Sequence, residues 1–274
     1  MIKINTNYPA TQWISAVLLA FLCCLSFSAQ SVKTPKIALI IDDMGNTSRD
    51  SAAFSLPTEV AFSILPLTRL SQSYSRQATQ QNRDVMLHIP MESLAGNKLG
   101  PGAITADMST LLIRSTLTQA LASVPDAIGV NNHMGSKLTQ LSGPMNTTMQ
   151  FLVEHQLFFV DSRTTRYSKA ERIANDTGVM SLRRNVFLDH NATHEQIDQQ
   201  FQRLLRLAKK YGFAVGIAHP YPQTVSYLEG ALVNLSDHGV QLIALSELMH
   251  TQQIARRQQH PINHKEADQT IAPK

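Results

Sequence analysis

Cysteine is almost missing from this chain. The only two, Cys23 and Cys24, stand side by side near the N-terminus, and without that segment neither disulfide nor thiol chemistry is available. Tryptophan is represented by Trp13 alone, in the same segment, which excludes an indole from any site further on. Charged residues are sparse at 16%, and the formal net charge of +4 is not gathered into a basic block. That composition argues against a disordered chain and gives no footprint for a nucleic-acid partner. Internal repeats and low-complexity inserts are absent as well.

What is present first is an address. Lys3 supplies a positive n-region, Trp13 to Leu25 a mostly apolar h-region, and Ser26-Phe27-Ser28 a small-x-small cleavage site. Residues 1–29 therefore read as a signal peptide, and export to the periplasm is expected. An uncleaved anchor is the alternative, but the apolar stretch is short of the roughly 20 residues a spanning helix needs, so no stable membrane span is expected after cleavage. A lipoprotein signal ending at Cys23 is disfavoured by bulky Leu22 before it. At the other end, residues 251–274 are polar with no periodic apolar face and read as a flexible tail. Between them, residues 35–250 are long enough for one large α/β domain.

Within that domain the first informative stretch is KIALIIDDMG, Lys36 to Gly45. Ile37 to Ile41 is apolar without alternation, as in a parallel strand covered on both faces. It ends in Asp42 and Asp43, with Gly45 permitting a turn. Further strands are expected over Glu59 to Leu65, Asp84 to Ile89, Ala127 to Asn132, Leu157 to Asp161, Asn185 to Leu188, Phe213 to Ala218 and Val240 to Leu245. Amphipathic helices are expected over Met108 to Val124, Pro144 to Gln156, Thr193 to Tyr211 and Gln223 to His238. Strands separated by helices imply βα units and a parallel sheet. The pattern predicts an α/β fold, a distorted (β/α) barrel of seven or eight units, with an open doubly wound sheet as the alternative. One glycine-rich loop, Ser93 to Asp107, breaks the rhythm, and loops of that length either line a groove or are surface excursions.

The strand ends carry the chemistry. After Asp42 and Asp43 come His88 and Glu92, then Asn131, Asn132 and His133, then Asp161, then Asp189 and His190, then His219. Each has a plain structural explanation: aspartates cap turns and helices, and lone histidines in strands are usually satisfied by neighbours. In a parallel barrel, however, all these ends meet on one rim. Histidines plus a carboxylate with one open position form the ligand set of catalytic zinc. A second carboxylate can then take a proton from water while a separate histidine protonates a leaving group.

The strings IDDMG, LHIPME, NNHMGS, DSRTT, NVFLDH and IAHPYPQT together resemble the divergent polysaccharide deacetylase family, a branch of the NodB-like polysaccharide deacetylases, from Lys36 to Leu248. The resemblance implies metal-dependent removal of acetyl groups from N-acetyl amino sugars, with a polysaccharide or peptidoglycan-like glycan as partner. Carried over, it makes Asp42 the catalytic base, Asp43 and His88 ligands of a divalent metal, zinc by expectation, and His219 the general acid. Three features depart from the wider pattern: Glu92 stands where a second metal histidine is usual, the RxPxG-type motif is replaced by NNHMGS, and the usual tryptophan is lacking. Either Glu92 replaces that histidine or His133 comes in from the next strand. The second is the expectation here, with Glu92, Asn132 and Asp161 supporting the site or touching substrate. The rival expectation is an inactive periplasmic glycan-binding or envelope-maintenance protein on the same fold.

Overall fold

The computed structural model describes residues 34–259. The expected signal segment and residues 260–274 of the expected tail lie outside the described residues.

The expected strands appear close to their anticipated positions: β1 (Lys36–Met44), β2 (Ala61–Ile64), β3 (Val85–Met91), β4 (Gly129–Met134), β5 (Phe158–Asp161), β7 (Val186–Phe187) and β8 (Phe213–Ala218). A three-residue strand, β6 (Ser181–Arg183), was not anticipated, being too short to leave a periodic pattern. The expected last strand shrinks to β9 (Gln241–Leu242). All pairings are parallel, in the order β6-β5-β4-β3-β2-β1-β8-β7, with β9 beside the start of β1. The end strands β6 and β7 do not pair with each other, so the curled sheet is a distorted (β/α) barrel left open along one seam.

Helices α1 (Ser71–Gln80), α2 (Thr110–Ser123), α3 (Ser142–Glu154), α4 (Ala170–Thr177), α5 (His194–Tyr211) and α6 (Pro222–Val233) connect the strands. Their apolar stripes bury the outward side chains of the sheet, among them Ile37, Leu39, Ile41, Leu87, Val130 and Phe159. α5 shows how such a helix is bounded: the Thr193 hydroxyl accepts from the Gln196 amide, and Gly212 ends the helix at φ +85°.

The inward side chains form a second core of Ala38, Ile40, Ala61, Met86, Val160, Leu182, Val215 and Ile217, joined by Leu245, Leu248 and Met249. Those last three belong to α7 (Leu245–Gln259). Its first turn is tied to the strand starts, since the Ser246 amide donates to Asp84 Oδ2 at 2.7 Å and Lys36 Nζ pairs with Glu247 Oε1 at 2.9 Å. α7 therefore closes the N-terminal end of the barrel interior and leaves the C-terminal end free for a site. This corrects the tail boundary: Thr251 to Gln259 continue a helix whose first two turns are held by the barrel.

Candidate metal and catalytic centre

The period of two along each strand decides which polar side chains enter the barrel. Below the mouth, Ala38, Ile40, Ala61, Met86, Val160, Leu182, Val215 and Ile217 face inward. Continuing the same alternation upward gives Asp42, Ser63, His88, Asn131, His133, Ser162, Arg184 and His219. An apolar lower layer thus turns into a polar upper layer at the C-terminal mouth.

Asp43 breaks the alternation. Its φ of +60° lies in the left-handed region, rarely adopted by residues other than glycine, and Gly45 follows at +92°. The turn lets adjacent carboxylates address one site. Asp43 Oδ1 lies 2.8 Å from His133 Nδ1 and 3.1 Å from His88 Nε2, and the two imidazole nitrogens are 3.3 Å apart. Asp43 Oδ1 is buried yet makes no hydrogen bond of acceptable geometry. Three ligand-type atoms crowded together with one left orphaned fit a metal ion better than a hydrogen-bond network.

Asn131 sits at the centre of the supports. Its Nδ2 donates to Asp42 Oδ1 at 2.8 Å, and its own Oδ1 faces His88 Nδ1, also at 2.8 Å. The Ser63 hydroxyl donates to that Asn131 Oδ1. Because an amide oxygen only accepts, His88 Nδ1 donates to it, and Nε2 is the nitrogen turned toward the cluster, where it could serve a metal once its proton is released. Asp42 Oδ2 stands 3.6 Å from His88 Nε2.

On the other side, His219 Nε2 reaches to 3.7 Å from Asp43 Oδ2. Its Nδ1 donates to Asp189 Oδ1 at 3.0 Å, while Asp189 Oδ2 accepts from the His219 amide at 2.7 Å and from the Thr224 hydroxyl at 2.9 Å. The ring is also flanked by Phe187 and stacked against Tyr221, with centroids 5.0 Å and 5.4 Å away.

Electrostatics separates the two aspartates. Burial raises Asp42 above its ordinary value, opposed by His88, His219 and the Asn131 hydrogen bond. Burial also works to raise Asp43, but the His133 and His88 imidazoles beside it outweigh that and hold the carboxyl far below the usual range. His88 is lowered by burial but pushed up to about 9 by Asp42 and Asp43. For His219, burial is overcome by Asp189, with Asp43 and Asp42 adding to the rise. The cluster thus holds one firmly ionised carboxylate and one carboxylate poised to take a proton.

Asp42, Asp43, His88, His133 and His219, expected from the sequence to share a site, are brought together. Glu92, Asn132 and Asp161 are not. Glu92 Oε1 pairs with Lys137 Nζ at 2.5 Å and Oε2 accepts from the Ala106 amide at 2.7 Å, so both oxygens are committed away from the cluster. Asn132 and Asp161 have the opposite parity to Asn131 and Ser162 and face outward. Asn132 bonds the Met134 carbonyl and the Ser162 amide, and Asp161 accepts from the Arg163 amide and the Ser168 hydroxyl. Both stitch the loops that leave β4 and β5. Sequence reasoning passed over Asn131 and Asp189 as site residues. Strand parity would have found Asn131, two positions before His133, and the place of Asp189 at a strand end beside the late histidine was the only signal for it.

Fold and centre together define a class, the NodB-like polysaccharide deacetylase barrel. The chain belongs to the divergent polysaccharide deacetylase family, whose model matches residues 39–249. It is 34% identical over 229 residues to an uncharacterized protein of Haemophilus influenzae, covering 83% of this chain and 81% of that one. It is 33% identical over 238 residues to the uncharacterized protein YibQ of Escherichia coli, covering 86% and 74%. Among solved structures, an uncharacterized protein from Agrobacterium tumefaciens superposes with a TM-score of 0.76 at 21% identity, covering 80% of this chain and 90% of that one. A mutant of the peptidoglycan deacetylase PdaC from Bacillus subtilis gives 0.51 at 10% identity, covering 82% and 95%, and at that identity the likeness concerns the fold alone.

Proposed function

We propose that this protein is an exported, periplasmic, metal-dependent hydrolase that removes acetyl groups from N-acetyl amino sugars of a polysaccharide or peptidoglycan-like glycan. The observation that carries the reading is the convergence of Asp43, His88 and His133 between a buried carboxylate, Asp42, and an imidazole held by Asp189. Asp43 Oδ1, His88 Nε2 and His133 Nδ1 are the atoms that would hold the cation, zinc being the ion this nitrogen and oxygen set suits. When bound, such an ion polarises an acyl oxygen and makes water more acidic.

The remaining work falls to the chain itself. Asp42, raised by burial, takes the proton of the attacking water as its oxygen joins the acetyl carbon. The C–N bond then breaks, and His219 gives its Nε2 proton to the departing nitrogen, yielding acetate and a free amine. Asp189 keeps the proton on His219 Nδ1 and favours the charged ring before that transfer. Asn131 holds Asp42 and His88 at once and so fixes base and ligand relative to each other.

Acetate release from N-acetylglucosamine oligomers and peptidoglycan fragments, with added zinc and with chelator, tests the reading. The expected result is zinc-dependent release that falls by a factor of about 10² to 10⁴ in Asp42→Asn. Equal, chelator-insensitive traces from both proteins would instead favour a glycan-binding protein without turnover.

A further inference from the structure

One side of the barrel mouth carries positive charge that the fold leaves unpaired. Residues 163–172, running from the exit of β5 into α4, hold Arg163, Arg166, Lys169 and Arg172 against a single acid, Glu171, and that acid pairs with Arg183 at 3.5 Å. Arg163 stands 3.9 Å from buried Asp161, whereas no carboxylate of the described residues comes within ion-pair distance of Arg166, Lys169 or Arg172. The segment is fastened to the rim beside the centre. The Thr164 hydroxyl donates at 2.9 Å to the carbonyl of Met134, the residue after His133, and the Lys169 amide donates to the Thr139 carbonyl at 2.8 Å.

Arg184, just past the end of β6, brings one such charge into the mouth itself. Its Nε donates to the Ser162 carbonyl at 2.6 Å and its Nη2 to the Arg163 carbonyl at 2.8 Å. The Ser162 hydroxyl accepts from Asn131 Nδ2 at 3.4 Å, the same nitrogen that donates to Asp42. On its other flank the guanidinium lies 5.2 Å from the centre of the Phe187 ring, and that ring stands 5.0 Å from His219. Arg184 is thus linked to Asp42 through Ser162 and Asn131, and to His219 through Phe187.

The two carbonyls occupy two of its three nitrogens. Nη1 makes no hydrogen bond among the described residues, yet it is not sealed from solvent, since the buried unpartnered side-chain atoms there are Asp43 Oδ1 and Arg83 Nε. Burial opposes the charge of Arg184, Asp161 and Asp42 support it from a distance, and Arg163 and Arg203 press like charge on it. A half-buried guanidinium among like charges is costly unless an anion comes to it. Its planar fork suits a carboxylate above other anion acceptors of the same size.

We infer that Arg184, with Arg163 beside it, recognises a carboxylate carried by the substrate glycan, so that the acetyl group removed belongs to an amino sugar that bears or adjoins an acidic group. The inference rests on the deacetylase reading for the reaction, but the recognition can be measured without it.

The test compares two sources of the carboxylate. One is N-acetylglucosamine linked to N-acetylmuramic acid, with its acid on a lactyl ether, and the other is N-acetylglucosamine linked to glucuronic acid, with its acid on the ring. Each is matched with the same disaccharide in which the carboxylate is converted to its amide. Acetate release and calorimetric binding are measured with zinc for the wild type, Arg184→Gln and Arg163→Gln. The wild type is expected to favour at least one acid over its amide by about tenfold or more in kcat/KM, the scale of a charge-assisted hydrogen-bonded pair. The favoured acid identifies the source. Arg184→Gln is expected to bring the ratio close to one, and Arg163→Gln to lower it about threefold through loss of the neighbouring charge. A variant that only loosens the site slows both members of a pair and leaves their ratio in place. Equal use of acid and amide by the wild type, or a preference that survives Arg184→Gln, overturns the inference while leaving deacetylation intact. Should Arg184→Gln fail to fold, an undiminished ratio in Arg163→Gln overturns it and a lowered one supports it. If no disaccharide releases acetate, tighter binding of an acid than of its amide, lost in Arg184→Gln, supports the recognition although the enzymatic reading fails. Equal binding of acid and amide then overturns it.

Discussion

A single backbone angle gives two adjacent aspartates different surroundings at one site. On a regular strand Asp42 and Asp43 would face opposite sides, one into the barrel and one under the helices. The +60° φ of Asp43 bends the chain so that both face the mouth, while Asp42 keeps the buried inward position of its strand. A left-handed aspartate carries a local backbone cost of about 1–3 kcal/mol, the kind of strain that collects at functional sites. The pH behaviour follows from residues at this scale. In the proposed reaction turnover needs Asp42 ionised and His219 protonated, so the rate is expected to rise as pH climbs through the raised Asp42 value and to fall as it passes the raised His219 value. Asp189→Asn removes the charge that lifts His219. A pH–rate profile of that variant is expected to show the alkaline limb moved to lower pH, with kcat reduced and the acidic limb in place. The same pair is linked to stability with a definite sign. His219 is raised above its unfolded value of 6.5, so its contribution is complete below pH 6.5 and is lost as pH rises through the folded value.

At the scale of elements, α7 does most to define where the site lies. By closing one end of the barrel interior with Leu245, Leu248 and Met249, it leaves the opposite mouth to the polar layer. Leu248 is fully buried among these side chains. Leu248→Ala is expected to lower unfolding stability by about 2–5 kcal/mol in denaturant titration, with the centre's residues untouched. The central strands are held as tightly. A Cβ at Gly216 would lie 2.7 Å from Leu39 Cδ2 and 2.9 Å from Leu204 Cδ2, between β1 and α5. Gly216→Ala therefore overpacks the junction and is expected to cost about 1–3 kcal/mol, read in the same titration.

At the scale of the whole molecule, the curled sheet gathers side chains from β1, β3, β4 and the exit of β8, far apart in sequence. A cation held by Asp43, His88 and His133, as proposed, would tie β1, β3 and β4 together and favour the folded state alone. At a concentration about 100 times Kd it would add about 2.7 kcal/mol. Zinc is expected to raise the melting temperature, and chelator to reverse the rise. Asp43→Ala and His133→Ala should abolish the shift, whereas Glu92→Gln should retain it, because the Glu92 oxygens are committed to Lys137 and Ala106. A shift that survives His133→Ala and disappears in Glu92→Gln would reverse the assignment of the ligand set.

The sequence by itself determined the parallel α/β character, the position of most strands and the residue types of the centre. Those features are local: apolar runs report covered strands, and polar strand ends report a rim. Only the tertiary structure decided that β6 exists, that the chain after Leu245 continues as a helix past Thr251, and that Asn131 and Asp189 support the centre while Glu92, Asn132 and Asp161 turn elsewhere. The physical reason is that inward or outward facing depends on strand parity carried across the curled sheet, and at Asp43 on a left-handed turn that composition does not announce. IIDDMG marks where the chemistry begins, but the folded barrel selects the side chains that meet it.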